Sequence, residues 1–413
     1  MKKLALISVV GLALSGCGGS GGGSNSDSTP TQPAVKPSVA IGSVEAVNAE
    51  ESTLTVNGHT YRVSEVVYDD TQVQLADVKP KMVVRVGSDI RQASGNGVRV
   101  TLEPTITGRV TAIDHVKKKF TVNGIELQFD GLSDDIEIND WVMVSSLPTA
   151  DAGYRVLSVV ELDVDNDYPV LDNDYELEGR ITSIDENAGT FKLGGKVTVT
   201  YNNVNQLSIG QWIEAEGEMQ NGIFMAHEVE VEDYDDLKND SDVEGIVTWV
   251  AKDYSEFSLN YRGAFFIDNA TRFEDGSKAN LEQGQEVEVT SVMKNGKRTA
   301  TVIEFERSEF DNDNQWRGKE FECEGYVSNY DADSRAFKIE HCENDADSRA
   351  FKIEHCENDA DQVLSNTTVV IDAQTRFQGI EELNLNGARV EVEGVIINDQ
   401  NIAREVELDV YDN

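Results

Sequence analysis

Leu177-Glu178-Gly179-Arg180-Ile181-Thr182-Ser183-Ile184 alternates apolar and polar residues and reads as a β-strand. A turn at Asp185-Glu186-Asn187-Ala188-Gly189 leads into a second alternating run, Thr190-Phe191-Lys192-Leu193, and two glycines then reverse the chain. Lys196 to Tyr201 reads as a third strand, Gln211 to Gly217 as a fourth after the glycine turn at Gly210, and Ile223 to Glu232 as a fifth. Five short strands in so short a stretch predict a small all-β barrel, OB-like or SH3-like.

The unit recurs. Equivalent opening glycines stand at Gly42, Gly108, Gly179, Gly245 and Gly325, spaced 66, 71, 66 and 80 residues apart. The fourth-strand landmark recurs as Lys81 to Val86, Asp140 to Val144, Gln285 to Val289 and Ala388 to Val392. A fixed period of this kind is a tandem array, here of about five barrels. The long last interval has a visible cause, because residues 331–344 are repeated without a change as 345–358. A barrel has one slot for its second strand, so the two copies compete for it, and the other becomes an added hairpin or a loop. The expected modules are 39–105, 106–163, 177–233, 243–307 and 322–413, with acidic linkers at 164–176, 234–242 and 308–321.

Residues 1–16 carry Lys2 and Lys3 and then an apolar run from Leu4 to Leu14, which reads as a secretory signal too short to span a bilayer. It ends in Leu14-Ser15-Gly16-Cys17, which resembles the bacterial lipobox. The resemblance implies that Cys17 is lipidated, becomes the first residue of the mature chain and anchors it to a membrane. Gly18 in place of Asp implies the outer membrane, at its periplasmic face or the cell surface. The rest of 17–38 is Gly, Ser, Thr and Pro with little apolar content, a flexible tether with a mean reach of about 25 Å.

The net charge of −41 repels phosphate backbones, which excludes nucleic acid as a partner and leaves cations and cationic partners. Asp163, Asp165 and Asp167, if extended, lie on one face at steps of roughly 7 Å, where they repel one another or share a cation. Together with Asp174 they are the candidate calcium ligands. The spacing matches only the start of an EF-hand loop, since Tyr168 stands where that loop needs glycine and Asp174 where it needs glutamate. The alternative is a solvated acidic linker.

Beyond Cys17 the cysteines are Cys323, Cys342 and Cys356, the last a duplicate of Cys342. In an oxidising compartment they predict one disulfide, Cys323 to Cys342. If Val327, Phe337 and Ile339 share the inward face, parity puts the two sulfurs on opposite faces, so this bridge needs a β-bulge. Trp141 and Trp212 occupy equivalent fourth-strand places and read as packing residues, whereas Trp316 sits in an acidic junction and reads as exposed. None of His59, His115 or His227 has a metal-ligand or triad-like spacing, and no hydrolase or phosphate-loop motif occurs. A glycosidase pair of carboxylates is defined by distance and not by motif, so a carbohydrate-active enzyme stays as an alternative.

The pattern Gly-x-Val/Ile, Phe-x-Leu/Val-x-Gly, Gly-x-x-Val-x-Val recurs, and Ile267-Asp268-Asn269-Ala270-Thr271-Arg272-Phe273 is echoed by Ile371-Asp372-Ala373-Gln374-Thr375-Arg376-Phe377. Together they resemble the bacterial domain of unknown function 5666. The resemblance implies tandem modules in a secreted or lipid-anchored protein and carries no activity with it. The expectation is a non-catalytic envelope scaffold, spacer or binding array whose weak sites add up. Its partner would be an envelope protein or a polysaccharide. The competing expectation is a calcium-dependent surface protein.

Overall fold

The structure, a computed structural model, describes residues 37–87, 97–173, 175–194, 196–306, 318–339, 342–345 (backbone only) and 367–409. The signal peptide, Cys17, the tether up to residue 36, Asp174, Trp316 and Cys356 lie outside the described residues.

Module 3 shows the plan. Its strands are Tyr175–Asp185, Thr190–Leu193, Val197–Thr200, Trp212–Gln220 and Ile223–Val231. The first pairs with the second and the second with the third; the third runs parallel to the fifth, and the fourth lies between fifth and first. The ring order 1-2-3-5-4-1 is the OB arrangement rather than the SH3 one, and closure leaves no free edge. Modules 1, 4 and 5 close in the same order. In module 2 the third strand, Ile125–Gln128, touches the fifth, Tyr154–Glu161, without a ladder. Alternate residues fill each barrel: Leu177, Ile181, Phe191, Leu193, Val199, Ile213 and Phe224 are buried in module 3.

The barrels are not strung out. The described residues from Pro37 onward form one compact unit. The first strand of module 1, Val39–Asn48, pairs in parallel with the first strand of module 4, Ser241–Val250, and modules 2 and 3 share one apolar cluster. Many strands are therefore covered on both faces. In the fourth strand of module 2, Trp141–Pro148, every residue is buried. Val142 and Val144 enter their own barrel, while Trp141 and Met143 enter the core of module 1, where Trp141 meets Tyr68 edge-on at 6.2 Å. Trp212 is likewise buried at a seam, stacked at 6.5 Å on Tyr261 of module 4. Both tryptophans pack, as expected, but between modules rather than inside their barrels.

Two of the expected linkers are seams as well. Val164, Tyr168 and Leu171 are buried in the module 1 cluster, and the Tyr168 hydroxyl lies 2.5 Å from Asp77 Oδ2 and accepts from the Gln74 amide at 3.1 Å. Tyr234 and Leu237 are buried in module 4. The acids between them face outward, so composition alone reads as linker what is in fact a strap with alternate apolar anchors.

In module 5 the second-strand slot is taken by the first copy of the duplication, Ala336–Ile339, which pairs with Ser328–Asp331 and with Thr367–Gln378. Cys342–Asp345 pairs with Lys319–Tyr326, and Cys342 is the register partner of Cys323. From Ser328 opposite Lys338 to Cys323 opposite Cys342, the first strand advances five residues and the second four. That one extra residue is the bulge the parity argument demands. Cys323 is disulfide-bonded and buried in the module 5 core.

Candidate functional site: a carboxylate junction

On the first strand of module 3, Glu176, Glu178 and Arg180 alternate with the core residues Leu177 and Ile181 and point away from the barrel. In an isolated barrel they would be solvated. Here they are 7%, 4% and 1% exposed, because modules 1, 4 and 5 pack over them. The Tyr68 hydroxyl of module 1 donates to Glu176 at 2.8 Å. Trp212 Nε1 donates to Glu178 at 3.1 Å, and Arg262 of module 4 pairs with the same carboxylate. Arg180 Nη2 donates to Asp372 of module 5 at 2.5 Å.

The fourth strand adds more acid. The ladder sets Glu214 opposite Glu178 and Glu216 opposite Glu176, and like charges directly opposite one another are destabilising. Oxygens of Glu176, Glu178 and Glu214 lie within 4.8 Å of one another. Burial, followed by Glu178, Glu232 and Glu103, pushes the Glu214 carboxyl up to about 9. Burial also outweighs Arg262 at Glu178, which rises to about 7, and raises Glu176 well above the carboxylate range. Beside them is a cavity of about 180 Å³ whose lining includes Asp69, Glu103, Glu176, Glu214 and Glu216 and, among the described residues, no Lys or Arg. Such a site can hold protons or a hard cation. It is smaller than the roughly 300 Å³ at which ligand pockets begin.

A second pair of acids lies at the module 1–4 seam. Glu244 accepts from the Ser43 amide at 2.6 Å and its hydroxyl at 3.1 Å, and burial lifts it to about 7. Nearby, burial and the adjoining Asp242 push Glu288 up strongly.

Of the expected calcium ligands, Asp174 lies outside the described residues, and Asp163, Asp165 and Asp167 are each engaged separately or exposed. Asp163 accepts from the Asn166 amide at 3.0 Å and side-chain nitrogen at 2.9 Å, which closes its own turn. Asp165 takes Arg109 Nη2 at 3.0 Å, Asp172 takes Arg109 Nε at 2.9 Å, and Asp167 is exposed. Arg109 of module 2 thus bridges Asp165 and Asp172. The junction carboxylates were missed, although a signal for them exists. Glu-x-Glu-Gly recurs at 176–179, 214–217, 322–325 and 391–394, and first and fourth strands are ladder neighbours, so these runs must lie side by side.

Fold and junction together define an all-β protein of tandem OB-type barrels packed into one body around buried acid. Residues 178–230, 244–304 and 352–407 match the family described as Domain of unknown function (DUF5666), and the chain carries tandem modules of that family. The third match begins inside the second copy of the duplication, whereas the barrel is built with the first. No curated protein matches the chain. Among solved structures, "drosophila Unr CSD456" is similar over 57% of this chain and 97% of that one, at 13% identity and a TM-score of 0.14, a likeness that carries no argument.

Proposed function

We propose that the chain is a non-catalytic scaffold of the bacterial envelope, held at the outer membrane through lipid on Cys17 and presenting its five barrels as one platform to an envelope protein or polysaccharide. The observation that carries this reading is where the charge on the barrel faces goes. Arg180 with Asp372, Arg262 with Glu178 and Arg155 with Glu286 each join two modules, so these polar groups serve assembly. A compact body of this size has a radius of gyration of about 21 Å, which argues for a platform rather than an extended spacer. Reach comes from the tether. In cell fractionation, the full chain is expected in the outer-membrane fraction and Cys17→Ser in the soluble periplasm; a Cys17→Ser chain that stays with the membrane sinks the anchor.

The 180 Å³ cavity with its five carboxylates favours a second reading, a calcium-dependent surface protein with the ion at the module junction instead of the linkers. Calcium bound only by the folded chain stabilises it by about 2.7 kcal/mol at a hundredfold excess over Kd. At pH 7.5 the melting temperature should then rise with calcium and fall back with chelator. An unchanged melting curve removes calcium and leaves the scaffold reading standing.

A further inference from the structure

We propose that Glu216, His227 and Glu228 form a binding site for a divalent transition-metal ion of the zinc or cobalt class on the outer face of module 3. Strict alternation would send His227 and Glu228 to opposite faces of the fifth strand. The ladder between fourth and fifth strands is not regular, however. Glu216 faces Glu228 and Gly217 faces Ala226, which leaves His227 as an extra residue in a bulge. Bulges re-aim side chains, and here one imidazole nitrogen and one oxygen from each glutamate come within 4.8 Å of one another.

The bulge is held by a glycine. A Cβ on Gly217 would lie 2.2 Å from the Met225 carbonyl oxygen, so the close approach of the two strands at this point requires glycine. Modules 2, 4 and 5 carry the same register shift, and the extra residue there is Leu157, Thr301 and Arg404. None of those is a metal ligand, so among the described residues the site belongs to module 3.

Donor chemistry selects the ion. Calcium takes oxygen ligands, whereas one imidazole nitrogen with two carboxylates suits zinc, cobalt or manganese. Metal-to-ligand bonds of about 2.0–2.2 Å need the three groups to draw together from their present spacing. That is a small rotation for His227 and Glu228, which are exposed. Three protein ligands leave coordination positions open to water or to a group from a partner. Glu216 also lines the carboxylate cavity and stands opposite Glu176, so the field around the site attracts cations.

The inference is independent of the envelope reading. The test is a titration of the chelator-stripped full chain with Co²⁺, followed by its visible absorption, and with Zn²⁺ by calorimetry. One equivalent is expected to bind, with affinity reduced ~10-fold or more in His227→Ala and in Glu228→Gln. Both positions are exposed, and circular dichroism checks each fold; Glu228→Gln, which keeps side-chain shape, decides the matter if His227→Ala does not fold. Glu186→Gln, at an exposed turn carboxylate of the same module, is expected to keep the wild-type affinity. No binding by the wild type, binding indifferent to both changes, or an equal loss in Glu186→Gln overturns the proposal.

Discussion

Arg180→Ala is expected to destabilise the folded chain by about 3–5 kcal/mol, the usual cost of removing one partner of a buried ion pair. Arg180 and Asp372 have side chains only 2% exposed, and they join module 3 to module 5 across 192 residues of chain. The guanidinium also lies 4.5 Å over the Tyr261 ring of module 4, so one side chain ties three barrels. Without it, Asp372 keeps a bond from the Gln374 amide at 2.9 Å but loses its countercharge. Urea titration of the wild type and the variant measures the effect. A loss below about 1 kcal/mol, the range of an exposed pair, would mean that modules 3 and 5 separate freely. A double change, Arg180→Met with Asp372→Leu, is expected to recover much of the loss, since apolar pairs often replace buried ions at little cost.

Raising the pH from 5 to 8 is expected to lower stability by several kcal/mol, on the order of 1.4 kcal/mol for each proton held over each pH unit. Glu178 and Glu244 titrate near 7 in the folded chain and Glu214 near 9, with Glu288 also raised, whereas unfolded glutamates titrate near 4.3. Burial is the first cause at each of these groups, and it outweighs the opposing Arg262 at Glu178 and Ser43 at Glu244. A carboxyl raised on folding keeps its proton in the native state after the unfolded state has lost it. Stability therefore falls as pH climbs through about 4.3, the unfolded value, and on through the folded values, and it is insensitive to these groups only well below about 4.3, where both states are protonated. The coupled acids share protons, so the total is less than the sum of single shifts. Melting temperatures at constant ionic strength from pH 5 to 9 test this, and Glu214→Gln with Glu288→Gln should flatten the slope. A melting temperature that rises between pH 5 and 8 contradicts the mechanism.

Much of this architecture is legible in the residues, and the junction is partly so. The barrel strands of module 3 can be read within a residue or two, because the alternation of Leu177, Ile181, Phe191 and Ile213 with polar neighbours is local and the turns carry glycine or Asn-Gly. The need for a bulge between Cys323 and Cys342 follows from parity alone. The linkers were misread for a definite reason. Alternation marks an apolar face only when polar residues cover the other, and in Asp163 to Leu171 the anchors are too few to stand out from the acid. His227 looked idle because sequence spacing assumes a regular strand, and a bulge breaks that assumption.

By itself the amino-acid sequence determined the repeat, the five-stranded unit and the acidic surface, since these depend on neighbours a few residues apart. Only the tertiary structure decided which outward faces remain outward. Trp212 reads locally as a packing residue, but nothing local says that it packs on another barrel or that Glu178 is buried beside it. Their burial depends on Arg262 and Tyr261 arriving from the next barrel, 84 and 49 residues along the chain. The same holds for Arg180 and Asp372. Contacts between barrels are set by how whole barrels dock, and the free energy of docking is spread over many residues that one stretch of sequence does not contain.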